Sequence, residues 1–331
     1  MAKNLRQIAT RVIPIVFYAL IAVFAVIYLT KINWSALANL KLQWGWIVAS
    51  SVAAIALRYW YASIWMFLMR RLGAHTRGNH AELYAVYAKS WLGRYLPGGA
   101  TWILGKIYFA SKLGLSKTKL GISSFLEGGL QVIALLISAS LILAFDPLVQ
   151  SFGQQWVTLL LVGTVVGLIS VYPPLFNRLT AFLYLKVRKQ KIDASSLPST
   201  ATIGYGIAAF LVSSILNGFA FYFIVLAVAP EVGATHILYI LGCASLANAL
   251  SMLAVFAPAG LGVRETVQLT MLSVLIDPAL ALVVTVLDRL WSIFMDGVFW
   301  GSAVGLKQWI VGRNVAAKLG GNPESDVSLK K

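Results

Sequence analysis

Residues 94–110 read Arg94-Tyr95-Leu96-Pro97-Gly98-Gly99-Ala100-Thr101-Trp102-Ile103-Leu104-Gly105-Lys106-Ile107-Tyr108-Phe109-Ala110. This apolar stretch is broken by Pro-Gly-Gly, with a cation on each side, and reads either as two half-helices around a turn or as a Pro-kinked helix. Proline stops the incoming helix, glycine permits the turn, and Thr101 suits the N-cap of a new half-helix. A second interruption, Ala257-Pro258-Ala259-Gly260-Leu261-Gly262-Val263-Arg264-Glu265, restarts a helix near Gly262 in the same way. Non-helical backbone at membrane depth is tolerated only where protein buries it or a cavity lies beside it.

The rest of the chain supplies the membrane. Of its 331 residues 59% are apolar and 11% charged, where a soluble domain has about 25% charged. That balance excludes a soluble enzyme, a disordered chain and a disulfide scaffold. Apolar runs near the ~20 residues a bilayer demands cover about Val12–Thr30, Gly45–Met69, Leu120–Phe145, Trp156–Tyr172, Ile203–Ala229, His236–Phe256 and Ala279–Leu306. The first run follows Lys3, Arg6 and Arg11 as a signal peptide would, but it outlasts a signal h-region and reads as a retained membrane helix. Trp44, Trp46, Trp156 and Trp309 fall at span ends, where indole favours the interface.

The expected fold is an all-α polytopic membrane protein forming a single transmembrane domain over 1–331. Parity requires about eight crossings, the short run Arg264–Ile276 among them, plus a re-entrant helical hairpin near 82–110. The second interrupted segment spans 257–276, and two such segments in corresponding halves are compatible with an inverted repeat.

The chain has 27 Lys+Arg against 11 Asp+Glu, a formal net charge of +16. Basic residues gather before the first span, at Arg70, Arg71 and Arg77, at Lys112, Lys117 and Lys119, and within 173–202. The opposite loops hold Asp146 and Glu231, with Lys31 and Lys41 as exceptions. The positive-inside rule then places both termini, including a tail at 308–331, in the cytoplasm. Cations dispersed between apolar runs are not the clustered footprint of a nucleic-acid domain, so no nucleic-acid partner is expected. Near 174–190, Phe176, Leu179, Phe182 and Leu183 share a helical face, with Arg178, Lys186, Arg188 and Lys189 largely elsewhere. This segment reads either as an interfacial helix on anionic lipid or as a solvated loop that only fixes topology. The lone Cys243 and the scattered His75, His80 and His236 form no metal site, and no cofactor or catalytic motif is evident.

Ionised residues inside spans are costly and usually face a bundle interior or wet cavity. Here they are Arg58, Glu127, Asp288, Arg289 and Asp296. Asp288, Ser292 and Asp296 recur at four-residue spacing and share one face, which Arg58 could answer; Glu127 is its other candidate partner. Asp288 and Arg289 are adjacent on one helix, so each needs a partner elsewhere. Half-helix N-termini with Arg94, Lys106 and Arg264 nearby suit a phosphate group: oriented amides, a bidentate arginine and a second cation. Glu265 either stabilises its helix start or pairs an arginine.

At these segments the chain resembles a known family. The run RYLPGGATWILGKIYFASKLGLSKTKLGISSFLEGG (residues 94–129) is similar to the first signature of the lysylphosphatidylglycerol synthase transmembrane-region, or flippase-like, family. The run APAGLGVRETV (residues 257–267) is similar to the second, and the spans fit from about residue 10 to 310. The resemblance implies a multi-pass inner-membrane protein handling lipids, of the kind fused in multiple peptide resistance factors, where this region is assigned to moving aminoacylated phosphatidylglycerol. Carried over by position are Arg94, Pro97, Gly98, Gly99, Lys106, Glu127, Pro258, Gly260, Gly262, Arg264 and Glu265, with Lys106 standing where many relatives have arginine. Full-length synthases carry a soluble aminoacyl-transfer domain after the membrane region. This chain ends at Lys331, shortly past its last span, so synthase activity is not expected of it.

Three functions fit. The leading one is a lipid translocase whose polar cavity takes the phosphate head of an anionic phospholipid or isoprenoid-phosphate lipid. Arg94, Pro97, Gly98, Gly99, Thr101, Lys106, Pro258, Gly260, Gly262 and Arg264 would form the binding site. Glu127, Glu265, Asp288 and Asp296 would answer cationic head groups or relay protons. The second is a non-catalytic partner or regulator in a cell-envelope lipid or glycolipid assembly, as a homodimer or beside an envelope enzyme. The third is a membrane-embedded lipid transferase, for which no nucleophile or carboxylate cluster is evident.

Overall fold

The computed structural model describes residues 41–74, 80–95, 101–151, 153–170, 172–188, 197–254, 257 and 260–319. The expected first span, His75, the breaks at Pro97-Gly98-Gly99 and Pro258, and residues 320–331 lie outside the described residues. Those described are helical, with no strand among them. Eleven α-helices follow in order: α1 Trp44–Arg71, α2 His80–Trp91, α3 Thr101–Ser111, α4 Lys117–Ala144, α5 Pro147–Ser151, α6 Gln154–Ser170, α7 Pro173–Arg188, α8 Thr200–Val228, α9 Ile237–Leu253, α10 Val263–Leu272 and α11 Pro278–Leu319.

Four of these are long and apolar enough to cross a membrane: α1, α4, α8 and the Pro278–Arg313 part of α11. Helices α6 and α7 would add a fifth if their bend of 72° lies within one span. This is fewer than the eight crossings expected. The described chain breaks its remaining apolar residues into short pieces, of which α9 has 17 residues and α10 only 10. At 1.5 Å per residue the 42 residues of α11 reach about 63 Å, twice the hydrocarbon thickness, so the expected end near residue 306 is passed by more than three turns.

Packing explains how apolar helices associate without a water-driven core. Helix α1 lies along α8, α9 along α4, α4 along α6, and α11 along α2. Close approach is bought with small residues: a Cβ at Gly218 would lie 2.5 Å from Leu241 Cγ, and one at Gly242 2.6 Å from Leu143. Three apolar clusters result among the described residues, the smallest around Leu143, Val149 and Tyr239. One joins Trp65, Leu68, Tyr87, Leu120, Leu130 and Phe210. Another joins Phe221, Val225, Ile240, Ala244, Leu272 and Val284. Outward faces stay apolar, with Leu159, Val162, Val165, Val166 and Ile169 of α6 exposed, as a lipid-facing surface requires. Trp44, Trp46 and Trp156 are exposed near helix starts, whereas Trp309 is exposed about three turns before the end of α11.

Helix α7 differs from its expected face. Phe176 turns inward and its ring lies 3.5 Å from the Cβ position of Gly129. The outward stripe is Leu175, Leu179, Phe182 and Leu185, with Arg178 and Lys186 exposed among them.

Candidate functional site

The intramembrane charges sort into three buried groups. In the first, Arg58 of α1 reaches Asp296 of α11 at 2.6 Å, while its other nitrogens donate to Ala54 O at 2.9 Å and Ser292 O at 2.8 Å. Asp296 also accepts from the Tyr95 hydroxyl at 2.5 Å and the Trp91 indole at 3.2 Å. Of the alternatives open to Arg58, the fold selects Asp296.

The second group joins two adjacent pairs. Arg264 meets Asp288 at 2.5 Å and Glu265 meets Arg289 at 3.2 Å, so Arg-Glu at the start of α10 faces Asp-Arg on α11 with charges complementary. Gln268 adds a donor to Asp288 at 3.0 Å. Glu265 also accepts from the Gly262 amide at 2.7 Å and closes the helix start, so it both pairs an arginine and stabilises the helix start. Gly262 and Gly260 stand at φ of 88° and 66°, which favours glycine. At Gly260 a side chain has no room either, because its Cβ would lie 1.5 Å from Ser251 Oγ.

The third group is sealed. Lys106 of α3 is fully buried and meets Glu127 of α4 at 2.5 Å, with the Tyr87 hydroxyl donating to the same carboxylate at 2.7 Å. Its ammonium lies 4.0, 4.4 and 5.4 Å from the ring centroids of Tyr87, Trp102 and Trp65. Such desolvated cation–π contacts partly replace lost water. Thr101, the expected N-cap, is the first residue of α3, and its hydroxyl donates to Gly93 O at 2.7 Å across the break.

Between these groups lies a cavity of about 810 Å³, within the ~300–1,000 Å³ range of small-molecule sites. Arg58, Arg94 and Arg264 line it, as does Gly260, and no Asp or Glu among the described residues does. Lys106 is not among the lining residues; Trp102 stands on the wall and its ring is one of those around the ammonium. Arg94 makes no ion pair among the described residues, and its guanidinium rests over Trp91 at 4.7 Å and Tyr95 at 5.4 Å. Phe125, Val166 and Leu253 also line the cavity and are themselves exposed, so among the described residues it is open beside these apolar side chains.

The sequence reading passed over the uncharged polar wall: Ser124, Gln131, Asn217, Asn248 and Ser251. Gln131 lies one turn beyond Glu127, and the two asparagines interrupt spans that are otherwise apolar, so the signal was present in amides rather than charges. Several donors on this wall are unsatisfied. Arg264 Nε, Asn217 Nδ2 and Ser124 Oγ are buried and find no hydrogen-bond partner. Each such group costs about 1–3 kcal/mol when left alone, and all three atoms are closed off from the cavity as well as from solvent.

No curated protein and no solved structure gives a match. The family described as Lysylphosphatidylglycerol synthase TM region matches residues 11–299, a stretch that holds every charged group above and both interrupted segments. The chain therefore belongs to that family, a family of membrane proteins tied to lipid handling.

Proposed function

We propose that the protein is a flippase-like lipid translocase that takes the phosphate head of a phospholipid or lipid-linked intermediate into its arginine-lined cavity. The observation that carries this reading is the wall itself: among the described residues it holds three guanidinium groups and no carboxylate, and Arg94 lies over aromatic rings, in the field of Asp296 but without an ion pair. A phosphate entering from the bilayer would be met by Arg94 in a bidentate contact. Arg58 and Arg264 would add positive potential while keeping their aspartates. If the opening past Phe125, Val166 and Leu253 faces the bilayer, lipid tails stay among apolar side chains while the head is inside.

In this reading the chain sits in the inner membrane with both termini cytoplasmic. Short helices complete about eight crossings, and α2 with α3 forms the re-entrant hairpin. Helix α7 lies on the anionic leaflet, its outward leucines and phenylalanine in the acyl boundary and Arg178 and Lys186 at the head groups. The test is head-group movement in proteoliposomes containing phosphatidylglycerol, its lysyl ester or isoprenoid phosphates. The protein should accelerate at least one. Rates equal to those of empty liposomes for all three would contradict the reading.

A further inference from the structure

The walls of the cavity are not equally fastened, and the loosest is joined directly to amphipathic α7. We propose that α6 and α7 form one lever: α7 binds the anionic surface of the surrounding leaflet, and its position there sets how far α6 slides along α4 to open the cavity. The lever regulates the site described above and rests on the translocase reading only for the passenger that the opening admits.

Most of the walls are tied. Ion pairs hold α1 to α11, α3 to α4 and α10 to α11. Leu241 fills the notch at Gly218 between α8 and α9, and Leu143 fills the one at Gly242 between α9 and α4. Helix α6 supplies Gly163, Val166, Gly167 and Ser170 to the wall and has neither fastening among the described residues. It holds no charged residue, and of its 17 residues Val157, Thr164 and Gly167 are buried. The hydroxyls of Thr158, Thr164 and Ser170 donate to carbonyls of their own helix at 2.9, 3.1 and 2.7 Å. Its chief partner is α4. There a Cβ at Gly163 would lie 3.7 Å from Ser140 Oγ, and one at Gly167 3.7 Å from Ile133 and Ile137. That is contact without interdigitation, the kind of seam along which packed helices shear.

The junction with α7 is stiff. Helix α6 ends at Ser170, α7 begins at Pro173, and the two are bent by 72°. The Tyr172 amide donates to Ile169 O at 3.0 Å and the Phe176 amide to Tyr172 O at 2.9 Å, so hydrogen bonds run from one helix into the other. Pro173 and Pro174 fix φ just after the bend. The buried Phe176 ring also lies 3.5 Å from the Cβ position of Gly129, which lines the cavity. A displacement of α7 is therefore felt by α6 and by the wall of α4 beside it.

Charge selects what α7 binds. It contains no acid, and its exposed stripe of Leu175, Leu179, Phe182 and Leu185 is interleaved with exposed Arg178 and Lys186. An apolar stripe with basic flanks fits an anionic bilayer surface, where each basic residue strengthens attachment about fivefold.

The test places the full chain in vesicles of phosphatidylcholine alone or mixed with phosphatidylserine. Spin labels at Leu141→Cys on α4 and Leu159→Cys on α6, both exposed sites, report the separation of the two helices in a Cys243→Ala background. Phosphatidylserine should shift that separation in the parent and not in an Arg178→Gln, Lys186→Gln variant. It should also speed the movement of trace fluorescent phosphatidylglycerol at least about fivefold, a gain the variant loses. A disulfide between Gly163→Cys and Ser140→Cys, in the same background, bridges the seam. Oxidised, it should arrest movement, and reductant should restore it, which shows that the fold is intact. An equal separation in both kinds of vesicle, or oxidised protein moving lipid as fast as reduced, would overturn the lever. A shift in separation with no lipid moving faster than in empty liposomes would support the lever and overturn the translocase reading instead.

Discussion

Arg264 and Asp288 meet at 2.5 Å where α10 begins against α11, and their sequence neighbours Glu265 and Arg289 meet at 3.2 Å with the charges reversed. Two crossed ion pairs from two dipeptides fix the rotation of α10, because a turn of one residue would set like charges together. The helix that carries a cavity arginine is thereby held by the pair next to it.

Exchanging the pair tests that arrangement. Glu265→Gln removes both the contact to Arg289 and the charged acceptor of the Gly262 amide. It should lower stability by about 1–3 kcal/mol, read as a drop in thermal melting in detergent. Reversing the pair, Glu265→Arg with Arg289→Glu, should restore the ion pair but not the cap, so its melting temperature should fall between variant and parent.

The Arg58–Asp296 contact joins α1 to α11 across most of the sequence, with Tyr95 and Trp91 on the same carboxylate. Asp296→Ala strands a buried guanidinium and should cost about 3–5 kcal/mol. Adding Arg58→Met should recover much of that loss. A double-mutant cycle by thermal unfolding checks both, and equal single and double effects would contradict the pairing.

For the sealed pair the same physics gives a sharper expectation. Lys106→Met leaves Glu127 buried with only the Tyr87 hydroxyl, so it should be more destabilising than Lys106→Met combined with Glu127→Met. Comparison of the two melting temperatures decides it.

Gly260 is constrained by space and by backbone together. Gly260→Ala would drive a methyl group into Ser251 at a φ of 66°, costing about 1–3 kcal/mol as local strain. Ser251→Gly should relieve the clash but not the φ, giving partial rescue of melting temperature.

Much of this was legible in sequence wherever the signal is local. The run Gly45–Met69 became α1, and Leu120–Phe145 and Ile203–Ala229 became α4 and α8, because length and apolarity are enough to specify a spanning helix. The breaks at Pro97 and Pro258 separated helices that resume at Thr101 and Val263. Four-residue spacing correctly put Asp288, Ser292 and Asp296 on one face, since a helix repeats every 3.6 residues. What spacing does not encode is the partner across the bundle. Lys106 and Arg94 both flank the same break, yet one is sealed against Glu127 and the other lines the cavity. That difference arises from where α4 packs. The amides Asn217 and Asn248 carry no charge and stand out less from an apolar span, although both are costly in hydrocarbon.

The central claim is that Arg94 holds a lipid phosphate in the cavity, and the most direct measurement is mass spectrometry of lipid retained by gently purified protein, parent against Arg94→Ala. Arg94 makes no ion pair among the described residues, so the variant should still fold, its melting temperature lowered only by the lost stacking on Trp91 and Tyr95 and the lost charge near Asp296. The account predicts an anionic phospholipid on the parent and at least about tenfold less on the variant, as expected for losing a charge-assisted bidentate contact. The same lipid at the same occupancy on both would contradict it.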